Sequence, residues 1–67
     1  MKRADVKAKA IEAVKSIGLN HLWQDKPCKL FVVIKGEIRV IDIASVRSRA
    51  SFERVIGRIE GWKEMMA

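Results

Sequence analysis

The feature that most constrains this chain is a pair of apolar segments separated by only two residues. Residues 30–34 read LFVVI and residues 37–43 read EIRVIDI, with Lys35 and Gly36 between them. Branched and aromatic residues favour strands, and glycine readily adopts the positive φ angle that a tight hairpin turn needs. The sequence therefore predicts an antiparallel β-hairpin.

Both predicted strands carry large apolar side chains on both faces. Strand alternation separates two sets in the first strand, Leu30, Val32 and Ile34 against Phe31 and Val33. In the second strand it separates Ile38 and Val40 from Ile41 and Ile43. Antiparallel strands with one solvated face normally alternate apolar and polar residues, so this hairpin needs cover on both faces.

One helix is predicted before the hairpin in the sequence and another after it. Residues 3–17 place apolar residues at helical spacing, and Gly18 followed by Leu19 indicates a Schellman ending in which Leu19 folds back on Val14. The second helix follows a small polar segment in which Ser48 or Ser51 is expected to cap its start. Its apolar stripe consists of Phe52, Val55, Ile56, Ile59, Trp62 and Met66.

Two glycines, Gly57 and Gly61, lie inside this last helix but outside its apolar stripe. Glycine in a helix interior costs about 0.5–1 kcal/mol relative to alanine, so two of them on one face need an explanation. They share their face with Arg54, Arg58 and Met65, and we interpret it as a second contact face of the helix. The alternative is that the glycines merely loosen a surface helix.

These elements predict a single small α+β domain over residues 1–67, ordered α-β-β-α, with the hairpin packed against two amphipathic helices. Residues 18–29 are expected to form a long connector anchored by Leu22 and Trp23, because Pro27 interrupts any helix there. A domain of about 60 residues buries only about 60% of the surface of its unfolded chain, so its core is marginal.

A homodimer is the simplest way to cover the second face of the hairpin, by pairing of sheet edges or by stacking of sheet faces. The predicted interface residues are Phe31, Val33, Ile41, Ile43, Gly57, Gly61 and Met65. The alternative is a monomer in which the two helices lie on opposite faces of the hairpin.

The chain has a net charge of +6, and the excess lies in the first helix and in the segment that enters the last one. A positive field of this kind favours anionic partners. Helix N-termini also attract phosphate groups, which adds weight to the arginines near the start of the last helix. The residues predicted to contact nucleic acid are Lys2, Arg3, Lys7, Lys9, Lys15, Arg47, Arg49, Arg54 and Arg58.

Other functional classes find little support in the sequence. The longest apolar run has five residues, too few to span a membrane, and the N-terminus lacks the apolar region of a signal peptide. The single cysteine, Cys28, with the single histidine, His21, makes a metal site unexpected, and the lone cysteine favours a reducing, cytoplasmic setting. We find no catalytic motif, expect no cofactor and predict that the protein is not an enzyme.

Two functions therefore stand side by side. The first is a small basic nucleic-acid-binding protein, regulatory or accessory, of a kind that bacteria or phages carry, which contacts mainly the phosphate backbone. The second is a protein-interaction module, an adaptor or inhibitor that docks on a larger protein through the hairpin or the glycine face.

The order of elements also resembles part of a double-stranded-RNA-binding domain, which likewise ends, after its strands, with a helix that basic residues lead into. That family has three strands and a lysine-rich helix start. Two strands are predicted here and the lysine-rich start is missing, so membership is not inferred.

Overall fold

A computed structural model describes residues 2–66 as a helix, a three-stranded sheet and a second helix. The elements are α1 (Arg3–Ser16), β1 (Asn20–Gln24), β2 (Lys29–Ile34), β3 (Glu37–Asp42), a 3₁₀ turn (Ile43–Ser45) and α2 (Arg49–Met66). The strands form one antiparallel sheet in the order β1-β2-β3. The α+β class and the hairpin are confirmed, whereas the predicted count of two strands is wrong.

The strand that the sequence did not predict, β1, lies within the expected connector. It pairs with β2 along its whole length, from Asn20 opposite Val33 to Gln24 opposite Lys29. Its own residues alternate poorly, because Leu22 and Trp23 are adjacent and the others are polar. The segment becomes a strand because β2 offers it an unpaired edge, which is a tertiary effect.

The turn between β2 and β3 sets the register of the hairpin. Lys35 has a φ angle of 50° and Gly36 one of 80°, the two positive values that a type I′ turn requires. This two-residue turn pairs Ile34 with Glu37, and the pairing continues so that Val33 lies opposite Ile38 and Phe31 opposite Val40.

Both helices pack on one face of the sheet, which we call the inner face. Leu30, Val32, Ile34 and Ile41 point from the sheet into a single core. The helices and the segments beside them contribute the other buried side chains, Val6, Ala10, Val14, Leu19, Ile43, Ile59 and Trp62. The alternative arrangement, with one helix on each face of the hairpin, is therefore wrong.

The opposite face of the sheet, which we call the outer face, is exposed in the described part of the chain. It carries five apolar side chains, Leu22, Phe31, Val33, Ile38 and Val40. Ile38 retains 68% of its accessible surface, and Phe31 is half-buried at the centre.

Two of the four interface residues predicted in the hairpin do not lie on this face. Ile41 and Ile43 are almost fully buried in the protomer, so their placement at an interface is wrong. Ile38 and Val40 take their place beside Phe31 and Val33, because the two-residue turn puts these four on the same side of the sheet.

The ends and faces of the helices follow the predicted pattern closely. Gly18 has a φ angle of 76°, its N–H donates to Lys15, and the Leu19 N–H donates to Val14 at 3.3 Å. This is the predicted Schellman ending, and Leu19 joins the core with Val14. In α2, Ile59 and Trp62 are buried, while the rest of the stripe is half-buried, except Met66, which is exposed.

The glycine face of α2 points away from the core. Gly57, Gly61 and Met65 are exposed, and a methyl group added at either glycine would have no neighbour within 4 Å among residues 2–66. The glycines therefore make no close contact with the described part of the protomer. Neither helix is long and apolar enough, over the residues described, to cross a bilayer.

Candidate nucleic-acid interface

The first basic segment is the start of α1, which lies against the end of β1. Four of the first nine residues are lysine or arginine and one is aspartate. The Lys7 ammonium sits 4.6 Å from the centre of the Trp23 ring, whose indole N–H donates to the Asp25 carboxylate. This cation–π contact holds the first two turns of α1 beside the turn that follows β1.

Another segment reaches the same end of the molecule, the turn between β1 and β2, residues 25–28, which carries Lys26 and Asp25 and has no net charge. The Cys28 carbonyl accepts hydrogen bonds from the backbone N–H groups of Ile43 and Ala44, at 3.0 and 3.2 Å. The turn is thereby joined to the 3₁₀ turn that leads into α2. Lys26, at its exposed tip, is a basic residue that the sequence reasoning did not select.

The second basic segment is the start of α2, with Arg47 and Arg49 both exposed. Lys9 of α1 and Phe52 of α2 line one groove, and Ile17 and Lys63 line another. The two helices therefore run side by side in the same direction, and their N-termini lie at the same end of the molecule. We call this end, with Lys2, Arg3, Lys7, Lys9, Lys26, Arg47 and Arg49, the basic end.

The start of α2 is capped by a reciprocal pair of serines. Ser48 Oγ accepts from the Ser51 N–H at 3.2 Å, and Ser51 Oγ accepts from the backbone N–H groups of Ser48 and Arg47, at 3.0 and 3.1 Å. This arrangement resembles a capping box and confirms the predicted cap. It also fixes the backbone that carries the two arginines.

Acidic side chains reduce the charge of the basic end without cancelling it. Glu53 lies 3.3 Å from Arg49, and both side chains are mostly exposed, so the pair is weak and easily exchanged for another anion. Asp25 is engaged by Trp23. Asp5 is exposed beside Lys2 and Arg3 in the first turn of α1.

Not all of the predicted nucleic-acid contacts lie at the basic end. Lys15 is in the last turn of α1, at the other end of that helix. Arg54 and Arg58 are exposed on α2, on the glycine face, and the Arg58 guanidinium lies 5.5 Å from the centre of the Trp62 ring. The structure thus brings six of the nine predicted residues together and leaves these three outside the cluster.

No cluster of three or more metal-ligating side chains is found within residues 2–66. His21 lies on β1 opposite Val32, while Cys28 lies in the β1–β2 turn with its thiol directed to the Asp25 carbonyl. The basic end itself offers lysine and arginine side chains, whose positive charge attracts anions.

No family model, no curated protein and no solved structure matches this chain. The sequence predicts two differences from double-stranded-RNA-binding domains, the number of strands and the start of the last helix. The first difference disappears, because β1 brings the number of strands to three. The other difference stays, because the start of α2 carries two arginines and no lysine.

Proposed function

We propose that the protein binds nucleic acid through the basic end and contacts mainly the phosphate backbone. The observation that carries the proposal is the convergence of two basic segments, the starts of α1 and α2, with Lys26 of the β1–β2 turn, although the three are far apart in the sequence. The start of α1, the β1–β2 turn and the start of α2 meet because of one cation–π contact, two backbone hydrogen bonds and the parallel run of the helices. Basic residues that served only solubility could be distributed over the whole surface and would not need to meet at one end of the molecule.

Backbone contact fits the side chains present better than base reading does. The chain has one asparagine and one glutamine, Asn20 and Gln24. Asn20 lies at the far end of β1, and the side-chain amide of Gln24, at the near end, donates to the Lys26 carbonyl at 3.2 Å. Asparagine and glutamine are the usual readers of adenine, whereas lysine and arginine bind phosphate irrespective of sequence. The protein should therefore discriminate nucleic acids by shape more than by sequence.

Duplex RNA is one ligand to be tested first. Proteins recognise A-form RNA mostly by shape, through its phosphates and 2′-hydroxyls, which suits a cluster of long basic side chains. The observed three strands also strengthen the resemblance to double-stranded-RNA-binding domains. Duplex DNA and single strands are the necessary comparisons.

The test measures binding to RNA and DNA duplexes of about 20 base pairs, longer than the roughly 16 that a double-stranded-RNA-binding domain spans, and to a single strand. Fluorescence anisotropy at several salt concentrations gives the affinities. The variant Arg47→Gln/Arg49→Gln removes two charges from the basic end. The control, Lys35→Gln/Lys63→Gln, removes the same charge from the β2–β3 turn and the end of α2.

We expect the arginine variant to bind about tenfold more weakly, and the slope of log K against log salt to become shallower by about one for each phosphate that the protein no longer neutralises. The control should stay close to the wild type. The proposal fails if the wild type binds no nucleic acid at low salt, or if both variants bind equally weakly.

The second candidate, a protein-interaction module, is favoured by a different observation, the apolar outer face of the sheet. We rank it below nucleic-acid binding because a copy of the same chain satisfies that face without a foreign partner. The homodimer, the cytoplasmic location, the bacterial or phage origin and the lack of catalysis stay predictions.

A further inference from the structure

We propose that the outer face of the sheet binds a second copy of this chain, with the two sheets stacked face to face and their strands antiparallel. The proposal is independent of nucleic-acid binding, since the basic end takes no part in it. It rests on the arrangement of the apolar side chains, on the charge of the outer face and on its size.

The apolar side chains of the outer face fall into two neighbouring rows across the sheet. Strand pairing aligns Leu22, Phe31 and Val40 in one row. It aligns Asn20, Val33 and Ile38 in the next. A third row, at the end nearest the basic end, is polar and consists of Gln24, Lys29 and Asp42.

A two-fold axis that runs across the strands between the two apolar rows makes the face self-complementary. It places Val33 over the Phe31 of the second copy and Ile38 over its Val40. Each polar row then lies at the edge of the apolar contact, beside the Lys35–Gly36 turn of the second copy. A two-fold axis along the strands would instead place Lys29 over Lys29 and both basic ends at the same end of the dimer.

The charge of the outer face permits this contact in a protein of net charge +6. Among the paired strand positions of this face, the charged residues are Lys29 and Asp42, which are direct partners across the sheet and have opposite charges. The antiparallel arrangement also sends the two basic ends to opposite ends of the dimer. Two copies can therefore meet here with less electrostatic repulsion than at any surface that includes the helix starts.

The size of the face determines how strong the dimer is. Three strands about 4.8 Å apart and about five residues long give a footprint of roughly 250 Å². A standard stable interface buries about 800 Å² per partner, so this one belongs among the small, weak interfaces. We expect a monomer–dimer equilibrium that depends on concentration, not a permanent dimer.

The first experiment measures molar mass by light scattering and sedimentation equilibrium over a range of concentrations. The wild type should rise from 7.6 kDa towards twice that mass. Ile38→Lys places a charge in the contact and should stay monomeric. Met65→Lys, the matched control at an exposed apolar residue of α2, should behave like the wild type.

Ile38 is mostly exposed in the protomer, so its replacement should leave the fold intact, which circular dichroism checks. Leu22→Lys provides a second variant on the same face. A wild type that stays monomeric at every concentration overturns the proposal. So does self-association that Ile38→Lys and Leu22→Lys leave unchanged, or that Met65→Lys abolishes as well.

The second experiment tests the orientation by cross-linking in a Cys28→Ser background. Protein with Phe31→Cys is mixed with protein with Val33→Cys and treated with a short bismaleimide. Stacked sheets lie about 10 Å apart, which is within reach of such a reagent but too far for a disulfide. Dimers that join the two different variants are expected; dimers that form mainly within each variant would contradict the antiparallel arrangement.

Discussion

Val32 and Val33 stand next to each other in β2, yet the helices cover the first and leave the second open. Val32 has no accessible surface, whereas Val33 retains 41%. The same contrast separates Leu30 from Leu22 and Ile41 from Ile38. Since residue type is matched in each pair, what lies over a face, and not its composition, distinguishes the inner from the outer side of this sheet.

Hydrophobicity alone therefore does not locate the core of a small domain. Two helices of 14 and 18 residues suffice for one face of a three-stranded sheet. The second apolar face is then left for another molecule. In this protein that face is electrically neutral, while the excess positive charge gathers where the helices begin.

The largest effect should come from the buried member of a matched pair. Leu30→Ala leaves a cavity in the core and should lower the free energy of unfolding by about 2–5 kcal/mol. Leu22→Ala, at a side chain that is 68% exposed, should change it by less than about 0.5 kcal/mol in dilute solution. Urea unfolding measures both, and similar decreases for the two variants would break the distinction between the faces.

The distinction between the inner and outer faces of the sheet can be predicted from the sequence in part. The period-2 pattern of LFVVI correctly separates Leu30, Val32 and Ile34 from Phe31 and Val33. The assignment of Ile41 and Ile43 to the second face was wrong, although the information was present. A two-residue turn pairs Ile34 with Glu37, and that pairing alone places Ile38 and Val40 beside Phe31 and Val33.

Other features depend on contacts that no local pattern reveals. β1 forms because β2 presents an unpaired edge to a polar segment, and half-buried Trp23 follows from that pairing. The basic end could be predicted only in part. The charges of α1 and α2 were identifiable, but the role of Lys26 depends on the hydrogen bonds between the β1–β2 turn and the 3₁₀ turn.

A smaller effect of opposite sign is expected on the exposed side of α2. Gly57→Ala and Gly61→Ala add methyl groups that meet no described neighbour, so each should raise the free energy of unfolding by about 0.5–1 kcal/mol. Gly18→Ala is the control, because its φ angle of 76° disfavours alanine and should make that variant less stable. Thermal unfolding compares the three.

The glycine face of α2 is, like the outer face of the sheet, left open by the rest of the described protomer. If the double alanine variant is more stable and keeps its nucleic-acid binding and self-association, the glycine face takes part in neither interaction. A double variant that loses nucleic-acid binding or self-association would instead identify Gly57 and Gly61 as contact points. Loss of self-association would place the interface on α2 and not on the sheet.

The cap of α2 should have an effect of about the same size as one glycine. Ser48→Ala removes the acceptor of the Ser51 N–H and should cost about 1 kcal/mol of stability. Ser16→Ala, where the hydroxyl donates to a carbonyl near the end of α1, should change stability by less than about 0.5 kcal/mol. Urea unfolding of the two variants shows whether the start of α2, which carries the arginines, depends on its cap.

The most direct measurement of the central claim is the concentration dependence of unfolding for Val32→Ala and Val33→Ala. Binding between native protomers raises the melting temperature as concentration increases, so the outer face should matter only where dimers form. We predict that Val32→Ala lowers stability by about 2 kcal/mol at every concentration, because it removes two buried methyl groups and leaves a cavity. Val33→Ala should be only slightly destabilised when dilute, because it loses a branched strand residue that is 41% exposed, and should fall further below the wild type when concentrated. Equal destabilisation of the two variants in dilute solution, or a wild-type melting temperature that does not change with concentration, would contradict the account.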